Sequence, residues 1–378
     1  MSSEQSKFEP VATPGSSKYG KRGKCMGKLL SAFNLSDNTR TVLEEAGDFS
    51  LASSTWNTYN TAERLLMKCR KDTGRKMEFP LTQEDSLEYI GWLLVTRKVK
   101  AATVNSYMAG IRQLHILQGM EPPVIKSELI KFILRGRQNK DNIGNRANKG
   151  RLPITTSVMK VLKNATREWD APIERKLVFW SISTLAFFGA FRIHELLSKQ
   201  ETNFDPDFTL LTDDVKIKTQ ASSGKRLLEI RLKCPKESKT GGPVFVEVFE
   251  TVGTLCPVKA FTRWTGRAIP RPGRPLFCDE TGTPVTGKAM NSWLKDRLAH
   301  LAPGDRDKGT YSSHSFRIGL ASTLAANGTS EEEIAAAGRW HSKAYEIYLK
   351  MPRVQRAAVA NKIAKLKVLD NNRECVRQ

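Results

Sequence analysis

Between residues 51 and 138 apolar side chains recur at helical spacing. Trp56, Tyr59, Leu66 and Cys69 fall on one helix face, with Thr55 as a candidate N-cap and Gly74 at the close. A second helix is predicted from Thr82, carrying Leu87, Ile90 and Leu94. A third carries Val104, Tyr107, Met108, Ile111 and Leu114 and stops near Gly119. After Pro122-Pro123 a short helix is expected at 130–134, and four such helices make a bundle with its own core. From Leu152 the pattern starts again. Thr155 or Thr156 can cap a helix through Val158 and Leu162, and a long apolar helix is predicted over 174–199.

Over 208–250 the period changes to two. Val215/Ile217, Leu228/Ile230/Leu232 and Val244/Val246/Val248 alternate with polar residues, which predicts a small antiparallel sheet with 234–243 as the turn between its last two strands. Helices are expected again at 257–267 and 288–300. Two more meet at Gly328, after which Ser330 and Glu333 form a capping box. The expected fold class is mainly α with a small antiparallel β-sheet, in two domains.

The polar stretches between these patterns set the boundaries. Residues 1–50 are rich in Ser, Gly, Lys and Glu without a sustained period and read as a flexible basic arm, with Lys18, Lys21, Arg22, Lys24 and Lys28 together. Residues 51–138 read as a helical domain and 139–151 as a basic linker, the end of the Gly/Asn-rich run that starts at Arg135. Residues 152–350 read as a second domain, and 351–378 as a basic tail with a helix expected around 354–369.

Charge narrows the partner. A chain of 378 residues with formal charge +22 and a pI near 9.8 calls for a polyanion, and nucleic acid leads because each neutralised phosphate releases counterions. The six cysteines are scattered without a C-x-x-C pair, and the five histidines show no metal spacing; a reducing compartment and no zinc framework are expected. The uncharged stretch 177–191 is short for a membrane span and reads as a buried helix. Without a signal-type apolar run, a soluble intracellular protein with no membrane partner is expected.

Several residues stand out chemically. Arg192 ends the apolar run TLAFFGAF, with Glu195 three residues on; the pair reads either as an intrahelical salt bridge or as part of an anion site. Arg317 would add a second guanidinium, and two such forks at one place match the oxygens of a phosphodiester. His314 lies three residues before Arg317 and suits proton transfer beside a phosphate. Tyr348 and Tyr345 are both candidate nucleophiles, since a phenol needs surrounding cations to ionise near neutrality. Lys236 and Lys239 in the hairpin turn are candidate mobile cations.

These residues occur in an order that resembles the tyrosine recombinases, the phage-integrase family. GAFRIHELL resembles the family's first arginine box, which carries its roles to Arg192 and Glu195. H-x-x-R falls on His314 and Arg317. LKCPKES is similar to the β-hairpin lysine segment and favours Lys236 over Lys239. The family's spacing from glycine to nucleophile places the nucleophile at Tyr348, ten residues after Gly338. One position departs: the family's His or Trp directly after that glycine is Arg339 here, so the role goes to Trp340 or to Arg339. The resemblance covers roughly 51–350, and the G-R-W ending is closest to eukaryotic mobile-element recombinases of the DIRS and Crypton kinds.

The resemblance implies a helical core-binding domain followed by a catalytic domain, closing on double-stranded DNA as a C-shaped clamp. It implies strand cleavage and rejoining through a 3′-phosphotyrosyl intermediate, by a homo-tetramer on two DNA sites, without metal or cofactor. Arg192, Glu195, Lys236, His314, Arg317, Trp340 and Tyr348 would form the catalytic set, and the site of action would be nuclear in a eukaryote and otherwise cytoplasmic. A DNA-binding protein that has lost catalysis and a type IB topoisomerase are the alternatives.

Overall fold

The computed structural model describes residues 33–48, 53–121, 127–144, 151–233, 242–268, 270–301 and 310–340, together with residues 30, 50 and 51. The chain divides into two compact units, Met1–Asn148 and Lys149–Gln378. No described helix is long and apolar enough to cross a membrane.

The described part of the first unit is helical: α1 (Asp37–Asp48), α2 (Ser53–Thr73), α3 (Gln83–Val95), α4 (Ala101–Leu117) and α5 (Glu128–Gly144). Gly74 and Gly119 follow α2 and α4 with φ of 71° and 69°, the left-handed stop expected of them. Thr82 caps α3 in a reciprocal box with Asp85 rather than by a lone hydroxyl. Leu66, Cys69, Leu93, Val104, Ile111 and Leu134 meet in one core. Helices α2 and α4 cross closely at Gly110, where a Cβ would come within 2.9 Å of the Tyr59 ring.

Two boundaries differ from the sequence reading. The stretch taken as the end of a flexible arm contains α1, started by the Ser36 hydroxyl accepting the Thr39 N–H; its apolar Val42 and Leu43 are exposed, so no buried stripe announced it. The stretch taken as linker from 139 is helical to Gly144. Arg137 pairs with Asp141 at 2.9 Å one turn on, and Asp141 accepts the first N–H of α4 from Ala101 at 3.2 Å. That tether gives the polar end of α5 a structural reason to stay helical.

The second unit is built on α7 (Ile173–Phe188), buried nearly all round, with α6 (Thr156–Arg167), α9 (Pro257–Thr265), α10 (Gly287–Arg297) and α11 (Ser315–Ala326) in the same core or against it. A one-turn helix α8 (Ile193–Leu196) follows α7, and α12 (Glu331–Gly338) follows α11. The expected single helix over 174–199 is therefore broken. Gly189 caps α7, Ala190 takes a left-handed φ of 46°, and Arg192 starts a new turn. The buried Phe191 ring folds back over Gly189, where a Cβ would lie 2.1 Å from it.

Strands β1 (Val215–Thr219), β2 (Arg226–Leu232) and β3 (Val244–Phe249) form an antiparallel sheet in that order. The antiparallel sheet is the one the period-two pattern predicted, and Val215–Ile230–Val246 and Ile217–Leu228–Val248 stand opposite one another across it. The turn carrying Lys236 and Lys239 lies outside the described residues. The lysine before it, Lys233, is held at the hairpin's base: its ammonium pairs with buried Asp214 at 2.9 Å, which also pairs with Arg231 at 3.0 Å.

Candidate active site

The site is a knot tied around the break after α7. Three chain segments far apart in sequence supply it: 189–195, the start of α11, and the end of α12. Glu195 lies on the first turn after Arg192, which brings its carboxylate back over the chain. Oε2 accepts the Arg192 backbone N–H at 2.9 Å, and Oε1 meets the Arg192 guanidinium at 3.4 Å. The Glu195 side chain is almost fully buried, whereas that of Arg192 keeps 26% of its surface. A carboxylate taken out of water needs cations and donors beside it, and the turn provides them.

Arg317 comes from the first turn of α11 and is 1% exposed. Its Nη1 donates to the Ala190 carbonyl, its Nη2 donates to the Gly338 carbonyl at 3.0 Å, and the guanidinium lies 5.0 Å over the Trp340 ring. The sequence reading had two equivalent guanidiniums facing one anion. The structure makes them unequal: Arg192 is at the surface of the knot and Arg317 is its floor.

His314 sits at the N-cap of α11, above Arg317. Its pKa is lowered from 6.5 to about 4, first by burial and then by the charges of Arg151, Arg317 and Arg192. The imidazole is thus neutral at physiological pH and able to accept a proton. The turn before it is pinned: the Ser313 N–H donates to Asn291 Oδ1 at 2.7 Å, and the Ser312 N–H to Ser315 Oγ at 3.0 Å.

Arg151 is the residue that sequence reasoning missed, having been assigned to the linker. It belongs to the second unit, bridged in parallel to Thr310, with the Leu152 N–H donating to the Thr310 carbonyl at 3.1 Å and the Ile154 N–H to the Ser315 carbonyl at 3.0 Å. A Cβ on Gly319 would lie 1.9 Å from the Ile154 carbonyl oxygen, so this segment runs directly against α11. Its position immediately before Leu152-Pro153, where the second domain opens, was the available signal.

At the end of α12, Arg339 and Trp340 go separate ways. Arg339 is left-handed (φ 55°), and its N–H and that of Trp340 close the helix on Ala336 and Ala335. Its Nη2 pairs with Glu195 Oε2 at 3.0 Å and donates to the Gly189 and Ala190 carbonyls at 3.3 and 3.4 Å, and its guanidinium lies 4.9 Å over Phe191. The indole of Trp340 folds back so closely that a Cβ on Gly338 would be 1.8 Å from it. Trp340 thus stacks on Arg317, while Arg339 reaches the Arg192–Glu195 pair.

Arg192, Glu195, His314, Arg317, Arg339 and Trp340 therefore converge, with Arg151 beside His314. Lys236, Tyr345 and Tyr348 lie outside the described residues, as does the tail. Among the described residues no group of three or more His, Cys, Asp or Glu side chains is placed to hold a metal ion.

No protein-family model matches the sequence, and no curated protein matches it. Solved structures do. The chain is similar to a XerH site-specific recombinase bound to a palindromic difH substrate in a post-cleavage complex, at a TM-score of 0.57 and 13% identity over 92% of this chain and 91% of that one. The pre-cleavage XerH complex with difH gives 0.52 and 12%, over 91% and 90%. The Tn1549 transposon integrase in complex with circular intermediate DNA gives 0.50 and 14%, over 90% and 98%. With its helices and three-stranded antiparallel sheet, the chain has the fold of the tyrosine recombinases.

Proposed function

We propose that this protein cleaves and rejoins duplex DNA through a covalent phosphotyrosine, acting in site-specific recombination or integration. The observation that carries the reading is the convergence of Arg192, His314 and Arg317, with Glu195 buried among them, on the fold of enzymes solved on DNA. Arg192 and Arg339 pair with the one buried carboxylate, and Arg151, Arg192 and Arg317 bear on His314, which leaves an excess of positive charge suited to a phosphate.

Tyr348 attacks the scissile phosphorus. The new bond joins its phenolic oxygen to the 3′-phosphate, and the bond to the 5′-oxygen breaks. His314, neutral in the folded protein, accepts the tyrosine proton. Lys236 delivers a proton to the departing 5′-oxygen, so the step is balanced. Arg192 meets the charge that grows on the non-bridging oxygens, with Arg317 adding its charge from beneath. Attack by a 5′-hydroxyl on the phosphotyrosine reverses the step and joins strands. The set R…K…H-x-x-R…Y and the G-R-W ending support a mobile-element enzyme of the DIRS or Crypton kind, working as a tetramer on two DNA sites. The +22 charge supports a first encounter governed by salt.

The test is a suicide duplex, nicked near the cleavage point and drawn from a library of sequences flanking the gene, incubated with the protein in EDTA. A covalent protein–DNA band is expected. Tight binding without a band would favour a DNA-binding protein that has lost catalysis.

A further inference from the structure

We propose that Arg339 is a positioning residue that acts through Glu195, fixing Arg192 and tying the chain that leads to Tyr348 against it. This rests on the strand-cleavage reading and goes further, because it gives the residue after Gly338 a task other than binding the phosphate.

Three observations support it. First, the carboxylate is shared: Glu195 Oε2 takes both the Arg192 backbone N–H at 2.9 Å and the Arg339 guanidinium at 3.0 Å, whereas the Arg192 guanidinium reaches the other oxygen only at 3.4 Å. Arg339 thereby occupies the carboxylate that would otherwise draw the Arg192 side chain inward, away from an incoming phosphate. Second, the backbone is set for this contact. Arg339 and Ala190 are both left-handed without being glycine, a costly conformation that survives where the surroundings over-determine it, and Arg339 Nη2 lies 3.4 Å from the Ala190 carbonyl. Third, the tripeptide divides its work. The Gly338 carbonyl and the Trp340 ring hold Arg317, while Arg339 holds Glu195, so three consecutive residues fix both arginines of the site.

The rival role is direct contact with phosphate. Arg339 Nε is buried without a partner among the described residues and could in principle serve it. The double variant with Glu195 separates the two roles: a guanidinium that acts through Glu195 has nothing further to lose once the carboxylate is gone, whereas one bound to phosphate does.

The experiment measures single-turnover formation of the covalent complex by the wild type, Arg339→Ala, Arg339→Lys, Glu195→Gln and the Arg339→Ala/Glu195→Gln double variant on a suicide duplex. DNA affinity is measured alongside as the control for folding. Arg339→Ala is expected to slow cleavage about 10- to 100-fold, as loss of a supporting shell residue does, with affinity retained. Arg339→Lys should fall between it and the wild type, and the double variant should be no slower than the slower single one. Should Arg339→Ala not fold, Arg339→Lys and Glu195→Gln carry the same comparison. Two results would overturn the inference alone: cleavage by Arg339→Ala at the wild-type rate, or additive effects of the two substitutions. A wild type that forms no covalent complex would overturn the strand-cleavage reading as well.

Discussion

Each unit holds a histidine against its interior, buried in the first and half-buried in the second, and the two are treated differently. In the first unit His115 is 2% exposed; its Nδ1–H donates to the Ile111 carbonyl at 2.8 Å and its Nε2 accepts the Leu81 N–H at 3.0 Å. Burial lowers its pKa, the bond to Ile111 raises it, and no charged neighbour contributes. In the second unit burial is joined by the charges of Arg151, Arg317 and Arg192, and His314 falls to about 4. Burial alone therefore does not mark chemistry. A ring satisfied by backbone on both nitrogens is architecture, whereas a half-buried ring held neutral by surrounding arginines marks a place where positive charge has been gathered.

The largest effects should separate the two arginines. Arg192→Ala should lower the rate of covalent complex formation about 10²- to 10³-fold while leaving the urea midpoint close to wild type. Arg317→Ala should lose as much rate and also stability, about 1–3 kcal/mol for the Gly338 carbonyl left without its donor. An Arg317→Ala protein as stable as the wild type would break the distinction between a surface arginine and a floor arginine.

A pair of glycines sharpens the contrast between the units. Gly319→Ala drives a methyl group into the Ile154 backbone and should cost about 1–3 kcal/mol or more in thermal unfolding. Gly136→Ala in α5 meets nothing within 4 Å and should stabilise by about 0.8–1.0 kcal/mol. The histidines give the next comparison. His115→Ala leaves the Leu81 N–H unpaired and should cost about 1–3 kcal/mol without altering the pH profile of cleavage. His314→Ala should slow cleavage instead.

The smallest effect is a titration. The folded pKa of His314 lies below its free value, so the neutral ring contributes stability in full above pH 6.5 and loses it as pH falls towards 4. An imidazole resonance titrating near 4 in the wild type should move upward in Arg151→Ala, since one of the depressing charges is gone. No movement would take Arg151 out of the site.

Much of this was legible in the sequence, for physical reasons that differ by element. The period-two residues of the sheet give its strands and its buried face, because only one alternation buries Ile230, Val246 and Val248 together. Ser330 and Glu333 announce α12 by local chemistry alone. The break after α7 was illegible: TLAFFGAFRIHELL keeps its apolar spacing, and the helix ends where Ala190 turns left-handed and its carbonyl serves Arg317 and Arg339. Helix α1 and the end of α5 were missed because they bury few apolar residues. Within the site, Arg192, Glu195, His314 and Arg317 stood out as an ordered set. Arg151 and Arg339 could be placed only once segments far apart in sequence had been brought together.

The most direct test of strand transfer through Tyr348 is to identify the residue that carries the DNA. The trapped covalent complex would be digested with protease and nuclease, and the nucleotide-bearing peptide sequenced by mass spectrometry, for the wild type and Tyr348→Phe. The account predicts a nucleotide mass on Tyr348 and no covalent complex in the variant. A nucleotide on Tyr345, or a covalent complex that persists in Tyr348→Phe, would contradict it.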